Sequence, residues 1–574
     1  MKEFECLKKV WKYAKEYKKY FVIGYIVLLA ELLFTQLLPL ALERLIDASV
    51  YKLDIKLFLY CSVIYIFVFI CQQSCALGQL QLWQRTNNKY IYSIRQKCFE
   101  RVIYSKAYIL SNHNTGDIIH TINADTVEFH HIIQRYAMRV VNAGIGTLVS
   151  VIIVANMKLE IAIIICVLVP SSVLFTNIVK KKLKKISTEK RQKQGELTSW
   201  IFEILKGVQT IKIYAAEKNV CNIFSRNNEN LYLLGKKQND MQILYGQIIS
   251  LIYFISQIVF YIISAIYVVD GSINIAEYIS IATYYNLISN NFQKILNENL
   301  AFQTRQVSIE RVLELLDYEI EDNEKYRTLS ILSNEVCVEN LSFSYERKKP
   351  ILSGISINVK GGQRIGVVGA SGVGKTTLAY LLMKFYDPDS GCILIGGNNI
   401  SDYSIFDLRN SIGIVNQENI VFDSSIKDNI CFGRNVDDEI IWNLIDKVQL
   451  RSDIEKLPAG IHTMLGNTGV ELSGGQKQRL SIARMLYRNP SIIILDEVTS
   501  SVDTKLESEI QQALSNLLEN RTCFIISHKV SILKDTDEIY LLKDGEIIAS
   551  GTYQYLSENC DEFKKLFELK EVAQ

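Results

Sequence analysis

The sequence predicts a two-part fold: an all-α membrane domain, then an α/β domain built around a phosphate-binding loop. Three observations carry that expectation. Apolar runs of membrane-spanning length crowd the chain before residue 300 and then stop. The run Gly369-Ala370-Ser371-Gly372-Val373-Gly374-Lys375-Thr376 has the form GxxxxGKT, whose glycines let backbone amides approach phosphate. Downstream, Leu472-Ser473-Gly474-Gly475-Gln476 precedes an apolar strand, Ile492 to Leu495, that ends in Asp496 and Glu497.

The 574 residues are enough for more than one domain. A net charge of +2 gives no overall pull toward nucleic acid, so no nucleic-acid partner is expected. The apolar share, 49%, is high for a soluble protein and has a local source in the first half. The twelve cysteines show no CxxC pairing or metal-ligand spacing. Cys61 and Cys166 lie in apolar runs and Cys523 lies beside the strand Phe524-Ile525-Ile526, so they read as small apolar residues. Apolar sequence begins only after Tyr20 with no small-residue cleavage site, which predicts no signal peptide. Glu3, Glu5 and Glu16 argue against a mitochondrial transit peptide.

A bilayer span needs about 20 apolar residues. Six stretches qualify: Phe21 to Ala41, Leu57 to Leu77, Met138 to Met157, Ile161 to Val179, Ile243 to Val269, and Ile273 to Ile295. The first contains Glu31, Gln36 and Pro39. A mid-helix carboxylate costs about 2.5–3.5 kcal/mol on the insertion scale, and each Leu, Ile, Phe or Val returns about 0.3–0.6. The many such residues in the segment outweigh one charge. The sixth stretch is the most polar, with Glu277, Asn286, Asn290 and Asn291, and is expected to face a cavity.

Lysines flank the first span, from Lys8 to Lys19, and follow the fourth, from Lys180 to Arg191. The loops after spans one, three and five are poor in positive charge. The bias places both termini and the long connections, roughly 78–137 and 180–242, in the cytoplasm. Residues 3–19 set Phe4, Leu7, Trp11 and Ala14 on one helical face among lysines, a pattern suited to the membrane interface or to packing on protein. The spacing of Leu197, Ile201, Leu205 and Val208 predicts that the second connection is helical. The acidic run from Tyr318 to Lys325 reads as a linker. The expected division is a membrane domain over 1–317 with cytoplasmic helical extensions, a linker over 318–333, and a nucleotide-binding domain over 334–574.

The phosphate loop follows the predicted strand Arg364 to Gly369 and opens a helix, whose N-terminus adds partial positive charge. Lys375 is placed to reach the β- and γ-phosphates of ATP and the Thr376 hydroxyl to bind Mg²⁺; Thr377 follows them at the helix start. Asp496 would hold the same ion, and Glu497 is the candidate base that orients the attacking water. Ser473 with the amides of Gly474 and Gly475 forms a second anion-binding helix start, before a helix predicted over Lys477 to Leu486.

This motif set resembles the nucleotide-binding domain of ATP-binding cassette (ABC) transporters, over roughly residues 333–560. The fold class then reads as six long transmembrane helices followed by an α/β P-loop NTPase domain of ABC type. The resemblance implies further roles. Tyr345, with Phe343 as rival, would stack on adenine. Gln417 would touch Mg²⁺ and relay its occupancy to the membrane half. His528 would contact the γ-phosphate. Ser500-Ser501-Val502-Asp503 stands where the family has a conserved turn. Thr115-Gly116-Asp117 with Asp125, and Glu203 with Gly207, Lys212 and Glu217, resemble intracellular loops that end in short coupling helices. The signature Ser473-Gly474-Gly475-Gln476 would complete the ATP site of a partner chain. Asn467 departs from the acidic residue usual before the signature.

Six spans and one ATPase domain make a half-transporter, so the resemblance implies a dimer. With every catalytic motif intact, a homodimer is favoured over a heterodimer. The expectation is a bacterial inner-membrane exporter of an amphipathic cargo: drug-like molecule, lipid or small peptide. Alternatives are import of a metal–chelator complex by the same architecture, a soluble ABC-type ATPase, and an ATP-gated channel. Glu31, Gln36, Gln247, Tyr253, Gln257, Tyr261 and Asn286 either face a central cavity or hydrogen-bond between helices.

Overall fold

The computed structural model describes residues 9–571 except 14, 112, 114, 132–138, 322–332, 346–348, 417–418, 467–468, 498–511, 516 and 528. The chain divides into two compact units. One comprises Met1–Ile103 and Thr115–Asp317, and the other Tyr104–Asn114 and Tyr318–Gln574.

The first unit is built on six long helices: α1 Lys18–Val50, α2 Ile55–Ile103, α3 Arg139–Met157, α4 Leu159–Lys206, α5 Glu217–Val269 and α6 Ile275–Leu316. Each expected span overlaps one of them; Met138 lies outside the described residues, and Ile273 and Asn274 precede α6. At 1.5 Å per residue the 49 residues of α2 and the 53 of α5 reach more than twice the roughly 30 Å hydrocarbon thickness. The excess is the polar extension expected in the long connections. Among the described residues, four helices are long and apolar enough to cross a membrane: Lys15–Val50, α2, α3 and α5. In α4 the apolar stretch found among the described residues is only Leu159–Pro170. The helix α6 falls short of that apolarity because Asn286, Asn290, Asn291 and Lys294 lie along it. It starts at a capping box, where the Asn274 side chain accepts from the Glu277 amide and Glu277 accepts from the Asn274 amide.

Two alternatives left open by the sequence are decided in this unit. Of the N-terminal apolar face, Trp11 alone is described; it stays 43% exposed beside the Phe21 ring. Val10 is the fully buried residue, in a core with Phe21, Trp83, Tyr90 and Phe129. The helix therefore packs on protein through a neighbouring face. Several of the polar residues that could either face a cavity or bond between helices do the latter. Gln36 is buried, donates to the Gly146 carbonyl at 3.2 Å and accepts from Ser150 at 2.8 Å. Tyr284 donates to the Gln36 carbonyl at 2.6 Å, one turn before the Pro39 that interrupts the α1 ladder. Gln257 donates to the Tyr261 hydroxyl and to Asn286.

The second unit holds two sheets. The antiparallel one has order β2-β1-β4-β5, from β1 Val336–Tyr345, β2 Lys349–Val359, β4 Ser390–Ile395 and β5 Asn398–Asn399. The six-stranded one has order β10-β9-β3-β8-β7-β6, from β3 Arg364–Gly369, β6 Ile412–Val415, β7 Ile492–Asp496, β8 Thr522–Ile526, β9 Glu538–Lys543 and β10 Glu546–Gly551. Its central strands are parallel and covered on both faces, which is why they read as unbroken apolar runs. In β7, Ile492 and Ile494 point into the core shared with β1 and β2, and Ile493 and Leu495 into the core under the following helices.

Candidate functional site

The strand β3 delivers the chain to the phosphate loop, and the helix α7, Lys375–Leu382, leaves it. Two glycines are required by geometry. At Gly374 φ is +107°, and a Cβ would sit 2.6 Å from Leu352. At Gly369 a Cβ would sit 2.4 Å from the Leu542 carbonyl of the neighbouring strand. Lys375 is buried, and its Nζ donates to the carbonyls of Gly369 at 2.9 Å and Ala370 at 2.8 Å. The ammonium thus lies folded across the loop spanned by Ala370, Ser371, Gly372 and Val373.

Beneath the loop, the Thr376 hydroxyl donates to Asp496 Oδ2 at 3.0 Å, across 120 residues of sequence. Burial, reinforced by the charge of Glu497, holds the Asp496 carboxyl above the usual carboxylate range; Thr376 and Lys375 oppose the shift. A buried hydroxyl–carboxylate pair is the hard oxygen donor set that Mg²⁺ takes, so these residues fit that ion. Glu497 follows β7 with φ +51°, and its amide donates to Ile526 O at 2.9 Å. A non-glycine residue in that region costs roughly 1–3 kcal/mol and marks sites where geometry is imposed.

Tyr345 closes the other side. Its hydroxyl lies 3.2 Å from Thr377 Oγ1, and it stands edge-on to Phe343 at 5.0 Å and to Tyr386 at 5.2 Å. It remains 37% exposed, whereas Phe343 is buried. Of the two aromatics, Tyr345 is the one with a free face for a base.

The signature opens the helix α8, Gly474–Arg488, three residues earlier than the sequence suggests. Ser473 is its N-cap: its hydroxyl accepts from the Gln476 amide at 3.3 Å, and Gln476 Oε1 accepts from the Ser473 amide at 2.9 Å. Gln476 thereby holds the helix start in shape, while Ser473 and Gly474 stay exposed. Gln417, His528, Asn467 and the Ser500–Asp503 turn lie outside the described residues.

Three features had not been singled out in the sequence. Arg484 on α8 donates to Asn429 O at 2.7 Å, Asn429 Oδ1 at 2.8 Å and Ile420 O at 2.6 Å. It ties the signature helix to the segment just after Gln417. Tyr386 joins Tyr345 to Tyr108, 6.4 Å away, on the short helix Ala107–Ser111. The residues that open the expected linker pair with that same segment. The Lys106 amide donates to Glu319 O and the Glu321 amide to Tyr104 O. Lys106 also holds the Glu319 carboxylate at 2.9 Å, and Arg409 grips Glu321 with two bonds of 2.6 and 2.7 Å. The signal available was chemical: an arginine in the buried phase of an amphipathic helix needs acceptors.

Comparison with known proteins agrees with this geometry. The model of the ABC transporter transmembrane region matches residues 21–292, and that of the ABC transporter nucleotide-binding region, described as ABC transporter, matches 352–500. An ATP-dependent lipid A-core flippase of Idiomarina loihiensis is 27% identical over 559 residues, 97% of this chain and 96% of that one. A putative multidrug export ATP-binding/permease protein of Staphylococcus aureus is 29% identical over 581 residues, 99% and 100% of the two chains. A bacterial Atm1-family ABC exporter solved with ATP bound has the same fold, with a TM-score of 0.84 at 22% identity over 96% of this chain and 98% of that one. The chain belongs to the ABC transporters, as a half-transporter of exporter type with its membrane region and ATPase in one polypeptide. It is a multi-pass membrane protein that binds and hydrolyses ATP.

Proposed function

We infer that the chain is an exporter of amphipathic cargo from the bacterial cytoplasm, working by alternating access as a homodimer in the inner membrane with both termini cytoplasmic. The observation that carries the reading is the Thr376–Asp496 contact under the phosphate loop, with Glu497 held next to it. Tyr345 would stack on adenine. The amides from Gly369 to Thr376 would bind the phosphates, and Lys375 would exchange its two loop carbonyls for phosphate oxygens. Mg²⁺, when bound, neutralises developing charge on the phosphates; Thr376, Asp496 and Gln417 are the residues to hold it. Glu497 would orient water and take its proton, and His528 would contact the terminal phosphate.

The exposed Ser473 and Gly474 support completion of this site by a second copy. Amides at a helix start bind anions, and exposed Gly474 stands at that start beside the Ser473 side chain. Lysines flanking the first span and following the fourth support the orientation. The relatives that carry export or flippase names support outward transport of a lipid or drug-like molecule. The tip between α4 and α5, a short helix Val208–Ile213 with Phe202, Ile213 and Tyr214 more than 70% exposed, supports docking on another domain.

The test is ATPase activity of this chain alone in lipid nanodiscs, with Glu497→Gln as blank, across lipids, peptides and cationic drugs. Turnover above the blank that rises with one cargo class is expected. Turnover surviving in Glu497→Gln, or none in the wild type, would overturn the reading.

A further inference from the structure

The first span carries a carboxylate with one buried oxygen that finds no partner among the described residues. Glu31 sits midway along α1, and its Oε2 is buried with no hydrogen-bond partner among the described residues. The polar groups around it are committed elsewhere. Thr35 Oγ1 donates to the Glu31 carbonyl at 2.8 Å and accepts from Gln72 on α2 at 3.1 Å. Gln36 is occupied by Gly146, Ser150 and Tyr284.

The nearest opposite charge stands on α6. The two helices run antiparallel in a register fixed at two points. The Ile275 amide donates to the Tyr51 hydroxyl at 3.1 Å, and Tyr284 donates to Gln36 O. Counted from the Gln36–Tyr284 contact, Glu31 falls opposite Ser289, and Lys294 stands about one and a half turns further along α6, close enough to act on it electrostatically. Yet Lys294 is exposed, and no ion pair within 4.0 Å joins the two. Asn291, one turn away, lies over Gly146 beside Leu32, where a Cβ would meet both at 3.0 Å.

An ionisable residue inside a span is retained for a ligand, a relay or a partner. A ligand bearing only a cation would satisfy Glu31 and be repelled by Lys294. One bearing only an anion would meet the reverse. Both charges are answered together by a ligand that carries both, and the partly exposed Leu32 next to Glu31 suits a hydrocarbon body. We propose that Glu31 and Lys294 form a headgroup site for a zwitterionic amphiphile, with Glu31 receiving a primary ammonium and Lys294 an anionic group. This rests on the exporter reading above. Two sources share the chemistry: an aminophospholipid, and a short hydrophobic peptide with free termini.

The test uses the full chain in phosphatidylglycerol vesicles. The probes are tail-labelled phosphatidylethanolamine, a hydrophobic tetrapeptide, and the N-acetyl form of each. ATP-driven movement is read against Glu497→Gln. The wild type should move one free-amine probe roughly tenfold faster than its acetylated form, the effect of one charge-assisted contact. Glu31→Gln should erase that preference and Glu31→Asp should recover part of it. Lys294→Met should slow the free-amine probe while sparing hexadecylamine, which has no anionic group. Which probe moves names the source. ATP hydrolysis without movement of either free-amine probe, or with free and acetylated forms moved alike, overturns the site and leaves the exporter reading standing. Hydrolysis no greater than the Glu497→Gln blank removes both.

Discussion

Replacing Arg484 with Met should disable the signature helix while leaving the phosphate loop intact. Arg484 is 9% exposed and spends its guanidinium on three acceptors within 2.8 Å, with the rings of Phe422 and Phe432 each 5.6 Å away. Its principal partner, Asn429, is fully buried and bonds Phe422, Ser424 and Ser425 in turn. Met keeps the apolar length and removes the fork, so Ile420 O and Asn429 O lose a charged donor. Three charge-assisted bonds at about 1.5–3 kcal/mol each would overstate the loss. Asn429 Oδ1 still accepts from the Phe422 amide, and the variant is spared the desolvation that lowers the Arg484 pKa. The net cost is therefore nearer that of leaving two buried or part-buried carbonyls without their donor, together about 3–4 kcal/mol. For a domain of this size each kcal/mol moves the midpoint by about 2–4 °C, which gives a fall of about 6–16 °C. Thermal denaturation of the solubilised chain at a fixed scan rate measures it. ATP hydrolysis should fall, whereas ATP binding in a Glu497→Gln background should persist. Arg484→Lys, with one point donor instead of a fork, should fall between. A midpoint lowered by less than about 2 °C with hydrolysis unchanged would refute the reasoning.

Two further outcomes follow from the site. Tyr386→Leu removes the edge-on contact with Tyr345 and the tilted contact with Phe343. At about 0.5–1.5 kcal/mol per ring pair, KM for ATP should rise several-fold while Tyr386→Phe stays near wild type; steady-state ATPase kinetics decide. Asp496 has a folded pKa raised above its unfolded one, chiefly by burial. Proton uptake thus stabilises the metal-free fold at low pH, and that gain is lost as pH rises through the folded value. Mg²⁺ must displace the same proton, so its apparent affinity should weaken on mild acidification, at a pH where an exposed aspartate would still be ionised. Titrations of Mg²⁺ in the ATPase assay across mildly acidic to neutral pH check this, and Asp496→Asn should abolish hydrolysis at every pH.

Much of this site can be read in the sequence because its demands are local. A loop that cradles phosphate needs Gly369 and Gly374 within a few residues of Lys375. A buried parallel strand such as β7 announces itself as an apolar run. What stayed hidden joins distant positions. Arg484 meets Asn429 across 55 residues, and Arg409 meets Glu321 across 88, with no periodicity to mark either pair. Tyr386 connects Tyr345 to Tyr108 through side-chain packing alone. The length of α6 was obscured for a related reason: hydropathy ends near Ile295, but the helix continues to Leu316 because amphipathic packing of Ile309, Val312 and Leu313 replaces lipid contact. In the N-terminal helix before α1, a single apolar phase does not decide between Val10 and Trp11 as the buried residue. The partner surface offered by Gln72 and Trp83 on α2 was likewise absent from the α1 sequence.

The central claim is that two copies of this chain build each ATP site, the phosphate loop of one facing the signature of the other. Co-expression of a Lys375→Ala chain with a Ser473→Phe chain tests it most directly. Each variant alone has both sites damaged, whereas the mixed dimer has one site with an intact loop and an intact signature. The account predicts ATPase activity in the mixture that neither variant shows alone. If the purified mixed dimer is as inactive as its parents, the sites are not shared between copies and the account fails.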